Sequence, residues 1–412
     1  FQRLEVDILN IPKLRFKDNN GNDYPQWEKK KLGDIGNIIS GGTPSSSNKE
    51  YWNGHINWFT PSEVGKTKFV SESIRKITEK GLKNSSAKLL PKGTILLSSR
   101  ATIGEKSILL NSATTNQGFQ SIITNNEAIN EFIYYYIDTL KSELIKQSSG
   151  STFLEISNTI LKKLKIYIPN LQEQEKIANF LSTVDKKIEN LANTITSLEN
   201  QKKGLLQQIF SQKLRFKDKN GNNYPNWEKK KLGDICKFTG GGTPSTSILK
   251  YWNGTIPWIS SSDLQTNTIH KIKISRYITN EAVSNSSTKI IPKNSILIVS
   301  RVGVGKVAIS NCVLCTSQDF TNITEINGNT TFYAYLLKYK MEQLTQNTQG
   351  TSIKGITTSD IKNIKLIVPI EQTEQTKIAD FLSAFDRKLD NQKAQLEHWQ
   401  QIKKGLLQQM FV

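Results

Sequence analysis

The chain of 412 residues carries 55 Lys+Arg against 36 Asp+Glu, which gives a formal charge of +19. A hydrophobic content of 36% with seven Trp excludes a disordered chain, and three Cys exclude a disulfide framework. No apolar run of 18 residues is present to span a membrane, so we expect a cytoplasmic protein. The charge indicates a polyanionic partner, with nucleic acid first, although an AT-rich genome that favours Lys, Asn and Ile is the competing explanation.

Two copies of one sequence follow each other at an offset of about 200 residues. Residues 13–35 and 213–235 are identical at 20 of 23 positions. The segments GGTPS, YWNG and KKGLLQQ also occur once in each copy. A period of this length is too long for a solenoid repeat, so each copy is predicted to fold as its own unit. The leader Phe1–Pro12 has no counterpart, and the stretches 63–83 and 263–284 hardly match.

Each copy opens with a region of mixed secondary structure, over 13–169 and 213–369. Short apolar runs bounded by turn residues predict buried strands, and longer apolar segments predict helices. The strands are Thr94–Ser98 and Ser295–Ser300, and the helices are 129–147 and 329–346. A final strand in each copy ends at Pro169 or Pro369. These elements predict an α+β fold.

A long helix closes each copy, over 170–211 and 370–412. Apolar residues recur at steps of four and three from Ile177 and again from Ile378, which is the pattern of a coiled coil. The helices must run antiparallel if their stripes are to meet, since the first helix carries the chain about 48 Å before the second copy begins. Such a pair would span about 14 base pairs of DNA. The alternative is two amphipathic helices that pack on separate domains.

Glycine and hydroxyl residues form a matched loop in each copy. In GGTPS the backbone N–H groups and hydroxyls could approach phosphate, although a plain strand-connecting turn explains the pattern equally well. The candidates are Gly41, Gly42, Thr43 and Ser45 in the first copy, and Gly242, Thr243 and Ser245 in the second.

Arginine follows a buried strand in each copy and precedes a glycine-containing loop with a lysine. This arrangement suits phosphate or guanine contacts, and a structural salt bridge is the competing interpretation. The candidates are Arg100, Thr102 and Lys106 in the first copy, and Arg301 and Lys306 in the second. The polar residues Asn116, Gln117, Ser261, Ser317 and Gln318 are further candidates for base contacts, with core hydrogen bonding as the alternative. The paired Trp residues of both copies are more typical of a core.

No catalytic constellation or metal site can be argued from the sequence. The segment Arg301–Lys306 fails the phosphate-loop pattern, and no Pro-Pro pair exists to complete an amino-methyltransferase motif near Phe238. Cys312 and Cys315 are a lone pair, which predicts buried structural thiols rather than a zinc site. We therefore expect no catalytic residue and no metal ligand in this chain.

The doubled order of LRF, KLGDI, GGTPS, YWNG, a strand ending in SR, and EQxKIAxFL resembles the specificity subunits of type I restriction-modification systems. The resemblance implies two target-recognition domains at 13–169 and 212–369, each followed by a conserved helix, with the two helices in an antiparallel coiled coil. It implies that each domain reads one half of a split, asymmetric double-stranded DNA site. It also implies two modification subunits, which bind S-adenosylmethionine and methylate adenine, and restriction subunits, which use ATP and Mg²⁺.

The ends of the long helices are nearly identical in the two copies, so we expect them to contact identical partner subunits. The candidate residues are Lys202, Lys203, Gln207, Lys403, Lys404 and Gln408, together with the segment 13–35. Simple maintenance of the fold could also explain the retained identity. The rival functions are a non-catalytic coiled-coil scaffold with incidental charge and a self-sufficient methyltransferase, against which the missing Pro-Pro motif argues.

Overall fold

The computed structural model describes residues 12–148, 154–346 and 355–411. The chain divides into two compact units, the first formed by residues 1–192 with 395–412 and the second by residues 193–394. Each unit therefore combines one mixed region with parts of both long helices. The predicted contiguous domain boundaries follow the sequence repeat and stay a prediction. The leader predicted over residues 1–12 lies almost wholly outside the described residues.

Over the residues that the structure describes, the first unit contains three small sheets built from ten strands. The strands are β1 Glu28–Lys31, β2 Gly36–Ser40, β3 Trp52–Phe59, β4 Phe69–Val70, β5 Arg75–Ile77, β6 Ile95–Leu97, β7 Lys106–Leu109, β8 Thr114–Thr115, β9 Gln120–Thr124 and β10 Lys165–Ile168. One sheet has the order β2-β9-β6-β7-β4, another β5-β3-β8, and β1 pairs with β10. Strand β6 lies inside the largest sheet and is buried on both faces, which explains its uninterrupted apolar sequence.

The described part of the first unit also contains four α-helices. They are α1 Glu79–Lys83, α2 Asn130–Lys146, α3 Asn158–Lys163 and α4 Leu171–Phe210, of which α4 continues into the second unit after Ala192. Thr78 and Ser157 cap α1 and α3 by accepting hydrogen bonds from backbone N–H groups of the first turn. Helix α2 buries Phe132, Tyr135 and Tyr136 in the main core of the unit. That core also contains the buried start of α4.

Where it is described, the second unit has a similar arrangement, also with ten strands. They are β11 Glu228–Lys231, β12 Cys236–Gly240, β13 Ile256–Ile259, β14 Arg276–Ile278, β15 Ile290–Ile291, β16 Ile296–Val299, β17 Val307–Ile309, β18 Leu314–Thr316, β19 Phe320–Ile326 and β20 Lys365–Val368. The sheets have the orders β12-β19-β16-β17 and β14-β13-β18-β15, and β11 pairs with β20. In each unit the strand that contains Trp58 or Trp258 pairs in parallel with a short strand later in the chain. Trp58 lies opposite Thr114, and Trp258 lies opposite Cys315.

Within the described ranges the second copy has five α-helices. They are α5 Leu232–Ile235, α6 Asn280–Ser284, α7 Thr330–Gln346, α8 Thr358–Lys362 and α9 Gln372–Met410, of which α9 continues into the first unit after Ala394. The predicted α+β fold class is confirmed, and the predicted strands and helices occur within a few residues of their predicted bounds.

A buried polar junction fixes the start of each long helix to its domain. Arg15 forms an ion pair of 2.7 Å with Glu173, which is fully buried, and the Trp27 indole N–H also donates to this carboxylate. The hydrogen bond with Glu173 raises the pKa of Arg15. Arg215 and Glu374 repeat the ion pair at 2.9 Å. The identity of 13–35 in the two copies is therefore explained in part by this junction.

The adjacent glutamines bind three backbone segments together. Gln174 accepts a hydrogen bond from the Ile129 N–H at 2.8 Å and donates to the Pro169 carbonyl at 2.8 Å. Gln375 makes the same two contacts in the second unit, with Asn329 and Pro369. Because both side chains are buried, the EQ pair of each copy is part of the fold.

The long helices pair in antiparallel fashion within each unit. In the second unit Glu199 pairs with Lys393 and Lys202 with Asp386, so the residue numbers rise along one helix and fall along the other. In the first unit Lys403 pairs with Asp185 at 2.7 Å, and Met410 lies in the same core cluster as Ile177. The predicted apolar stripe is buried at Leu181, Leu191, Leu198 and Ile209. The predicted coiled-coil pairing is thus confirmed.

Candidate nucleic-acid interface

The glycines of the GGTPS loops allow close packing against a neighbouring backbone. A Cβ on Gly41 would lie 1.9 Å from the Asn116 carbonyl oxygen, and a Cβ on Gly241 would lie 1.9 Å from the Ser317 carbonyl oxygen. The Gly42 N–H donates to the Thr115 carbonyl at 2.8 Å, and the Gly242 N–H donates to Thr316 at the same distance. The amides of Gly42 and Gly242 are therefore used inside the fold, and they are not available for the predicted phosphate contact.

The loop hydroxyls lie beside the predicted amide readers. Thr43 donates a hydrogen bond to the Gln117 side-chain carbonyl, and Thr243 donates to Gln318. Both glutamines are exposed, as are Ser45 and Ser245. The structure thus brings two predicted sets together in each unit and places them at the surface. Their hydroxyl and amide groups can donate to or accept from a nucleic-acid base edge.

The flanking residues of this segment are less accessible. Asn116 is half-buried and accepts a hydrogen bond from the Gly118 N–H. Ser317 is buried and donates to Asp319 at 3.1 Å. Both side chains fit the alternative of core hydrogen bonding better than direct base contact.

The two strand-end arginines have different surroundings. Arg100 forms an ion pair of 2.7 Å with Glu155, as the structural alternative predicted. Equivalent backbone hydrogen bonds from Ile156 to Ser99 and from Ile356 to Ser300 align Glu155 with Gly355. Arg301 is exposed and makes no ion pair with any residue that the structure describes.

The lysines of these loops are held inside the units. Lys106 is buried and forms an ion pair with Asp138, and burial lowers the pKa of Lys106. Lys306 is half-buried and donates to the carbonyl of Ser261 at 2.9 Å, and Ser261 is itself buried. Lys106 and Ser261 are therefore poorly placed for DNA, because neither presents its polar group at the surface. Thr102 remains exposed at the loop tip.

Each Trp pair packs edge-to-face with ring centroids 5.0 Å apart, as Trp52 with Trp58 and as Trp252 with Trp258. Trp52, Trp58 and Trp258 are buried, which agrees with the predicted core role.

An arginine that the sequence interpretation missed covers this pair in the first unit. The exposed Arg75 guanidinium lies 3.7 Å from the Trp52 ring centroid, and the ring fixes its position at the surface. Arg276 lies 4.6 Å from the Trp258 ring in the second unit, where Asp263 also pairs with it. The shared Arg-x-Ile-Thr spacing at 75–78 and 276–279 was the signal that could have identified both.

The predicted partner-binding residues fall into two groups. Lys202 is buried against Asp386, and Lys403 pairs with Asp185, so both lysines stabilise the helix pairs. The ammonium group of Lys202 lies inside the unit, which does not suit a partner contact, and the partner-binding role of these residues stays a prediction. The exposed residues of the helix ends are Lys203, Gln207, Lys404 and Gln408.

Across the described ranges, no group of three or more His, Cys, Asp or Glu is placed to hold a metal ion. None of the described helices has the length and apolar content needed to cross a bilayer.

Comparisons with known proteins agree with this architecture. The family model of the type I restriction modification DNA specificity domain matches residues 24–200 and 224–398. The type I restriction enzyme MjaIX specificity subunit of Methanocaldococcus jannaschii is 32% identical over 406 residues, which covers 94% of this chain and 91% of that protein. The EcoR124I/EcoR124II specificity subunit of Escherichia coli is 34% identical over 176 residues, which covers 41% and 42% of the two chains.

Solved structures share the fold at lower sequence identity. The type I restriction-modification S subunit of M. genitalium superimposes with a TM-score of 0.59 at 18% identity, over 98% of this chain and 99% of that one. A chain from a study of assembly and conformational transition in a type I R-M system gives a TM-score of 0.61 at 17% identity, over 93% and 97%. With two matched specificity domains and a relative of almost equal length, the chain belongs to the family of type I restriction-modification DNA specificity subunits.

Proposed function

We propose that this chain reads a bipartite, asymmetric site in double-stranded DNA, with one half of the site read by each unit. The observation that carries this proposal is the contrast between a shared framework and different exposed chemistry. The Arg–Glu junctions and Trp pairs are the same in both units. Arg100, however, is neutralised by Glu155, whereas its counterpart Arg301 has Gly355 beside it. Two surfaces that differ in this way would select two different half-sites.

The chemistry of the complex is assigned to partner subunits under this proposal. The chain supplies recognition and has no catalytic role. Two modification subunits would bind S-adenosylmethionine and methylate adenine, and restriction subunits would use ATP and Mg²⁺. This assignment rests on membership of the specificity family and on the resemblance of the repeats.

The DNA proposal predicts a bipartite methylation motif. Sequencing the methylome of a host that carries this chain and its partners should return two short specific elements separated by a fixed non-specific spacer. Binding of that site by the assembled complex should weaken as the salt concentration rises. The slope of log association constant against log salt concentration should be about −0.9 for each phosphate contact. A single continuous motif would contradict the bipartite site, and the absence of salt-dependent DNA binding would favour the scaffold alternative.

The ends of the long helices supply the proposed docking surface for modification subunits. Gly204 and Gly405 occupy the same place in the repeated KKGLLQQ segment, in the interior of α4 and α9. A Cβ at either position would have no neighbour within 4 Å, so neither glycine is required by packing inside its unit. Glycine inside a helix costs about 1 kcal/mol relative to alanine. Close approach of a partner's backbone would account for both.

Substitution of both glycines separates docking from folding. Gly204→Ala with Gly405→Ala should raise helix stability by about 0.5–1 kcal/mol for each site and weaken modification-subunit binding by about 1–3 kcal/mol. Native mass spectrometry of the reconstituted complex measures occupancy, and thermal melting of the free chain measures stability. Lys187→Ala, at an exposed position of α4, is the control. Full occupancy in the double variant would remove this surface from the proposal.

A further inference from the structure

The second unit contains a cavity of about 400 Å³ between its paired helix segments and helix α7. Its lining is rich in charge, with five lysines and four acidic residues. The lysines are Lys202, Lys203, Lys271, Lys338 and Lys393. A cavity of this size can admit a small ligand, and the lysines exceed the acids by one.

Three of the lysines already have acidic partners in the cavity wall. The ion pairs are Lys202–Asp386, Lys271–Asp390 at 2.7 Å and Lys393–Glu199 at 2.6 Å. Lys203 is exposed at the rim. Lys338 is the exception, because only 6% of this residue is exposed and it forms no hydrogen bond or ion pair within the described part of the chain.

Comparison of the two units shows that Lys338 occupies the position of an acidic residue. The first unit has Asp138 at the equivalent position on α2, three residues after Tyr135 as Lys338 follows Tyr335. Asp138 is the ion-pair partner of the buried Lys106. Where the first copy has a half-buried acid that pairs with a lysine, the second copy therefore has a further lysine, and this lysine is buried. Glu342 follows on the next turn of α7, but no ion pair within 4.0 Å joins it to Lys338.

The charge on Lys338 is costly without a counterion. Burial lowers the pKa of Lys338 to about 8, and the nearby Lys202 and Lys393 add to the decrease. Glu342 and Asp386 oppose it, but they leave the pKa well below that of an ordinary lysine. A bound anion would favour the charged form and relieve the repulsion among these lysines.

We propose that this cavity binds a phosphate group, held by the Lys338 ammonium from inside and by Lys203 at the rim. The group could belong to a small phosphorylated molecule or to the DNA backbone, since both present the same tetrahedral oxyanion. At the equivalent position the first unit has Asp138, whose carboxylate would repel a phosphate. This inference does not depend on which DNA sequence the chain reads.

Titration of the intact chain with sodium phosphate tests the site. Isothermal titration calorimetry at pH 7, with ionic strength held constant by sodium chloride, should show one saturable site. Lys338→Met should weaken phosphate binding by roughly tenfold or more. Lys340→Met, which removes the same charge from the same helix but does not line the cavity, should leave it unchanged. Lys338→Arg should retain it, which separates loss of charge from loss of folding.

DNA supplies the second arm of the experiment. If Lys338→Met also lowers DNA affinity and reduces the salt slope by about 1, the natural phosphate belongs to the backbone. Unchanged DNA affinity assigns the site to a small phosphorylated molecule. The inference is overturned if the wild-type chain shows no saturable phosphate binding, or if Lys338→Met binds phosphate as well as Lys340→Met does.

Discussion

Asp386→Ala is expected to destabilise the second unit by about 3–5 kcal/mol, because it leaves a buried positive charge without its partner. The Lys202 and Asp386 side chains that form this ion pair are only 8% and 6% exposed. Asp386 also accepts a hydrogen bond of 2.7 Å from the Tyr335 hydroxyl. Hydrogen exchange measured at increasing temperature should show that peptides of the second unit unfold at a midpoint temperature lowered by roughly 10 °C.

The first unit provides a matched control for this effect. Asp185 pairs with Lys403 and accepts from the Tyr135 hydroxyl at 2.7 Å, so it makes the same two contacts as Asp386. The tyrosines differ in one further neighbour, which is His270 beside Tyr335 and Lys68 beside Tyr135. Its charged side chains are 24% and 25% exposed, and water can therefore solvate Lys403 when the acid is removed. Asp185→Ala should cost less than half as much. An equal loss in both units would show that burial of the pair does not set the cost.

A double substitution tests the same reasoning from the other side. Replacing both members of the buried pair, as Lys202→Met with Asp386→Leu, removes the unpaired charge and should recover much of the lost stability. Denaturation of the single and double variants under one set of conditions gives the coupling free energy.

Local pattern was enough to predict the long helices. Helix α4 was expected over 170–211 and occupies Leu171–Phe210, because its apolar spacing continues without a proline. Helix α2 and strand β6 were also predicted, since each is defined by neighbouring residues in the chain. These elements can be predicted because the spacing of apolar residues in the sequence matches the periodicity of burial.

The charged network depended on contacts that no local pattern contains. Lys202 was expected to contact a partner subunit because the helix ends are nearly identical in the two copies, and its ion-pair partner Asp386 is far away in the chain. The ion pair between Arg100 and Glu155 joins residues 55 positions apart. The two copies differ at 138 and 338 and at 155 and 355. These differences indicate changed charge pairing, but only the structure shows that the positions are equivalent.

Arg301→Ala is expected to weaken binding of the assembled complex to its native DNA by about 1–3 kcal/mol, which is roughly tenfold to a hundredfold. The guanidinium is exposed at the end of buried strand β16, and Gly355 stands where the first unit has the acid that holds Arg100. Arg100→Ala should cost less, because the Arg100 side chain is already engaged by Glu155. Fluorescence anisotropy on the duplex defined by the methylome measures both.

Binding to altered DNA sequences distinguishes an arginine that contacts bases from one that only adds positive charge. Duplexes with substitutions in one half-site at a time should show that Arg301→Ala relaxes discrimination in one half only. Arg387→Ala, an exposed arginine on α9 in the same unit, removes the same charge away from the loop and is the control. Glu155→Gly, which copies Gly355 into the first unit, should release Arg100 and strengthen its DNA contact. Equal effects of Arg301→Ala and Arg387→Ala on every duplex would show that Arg301 contributes charge alone.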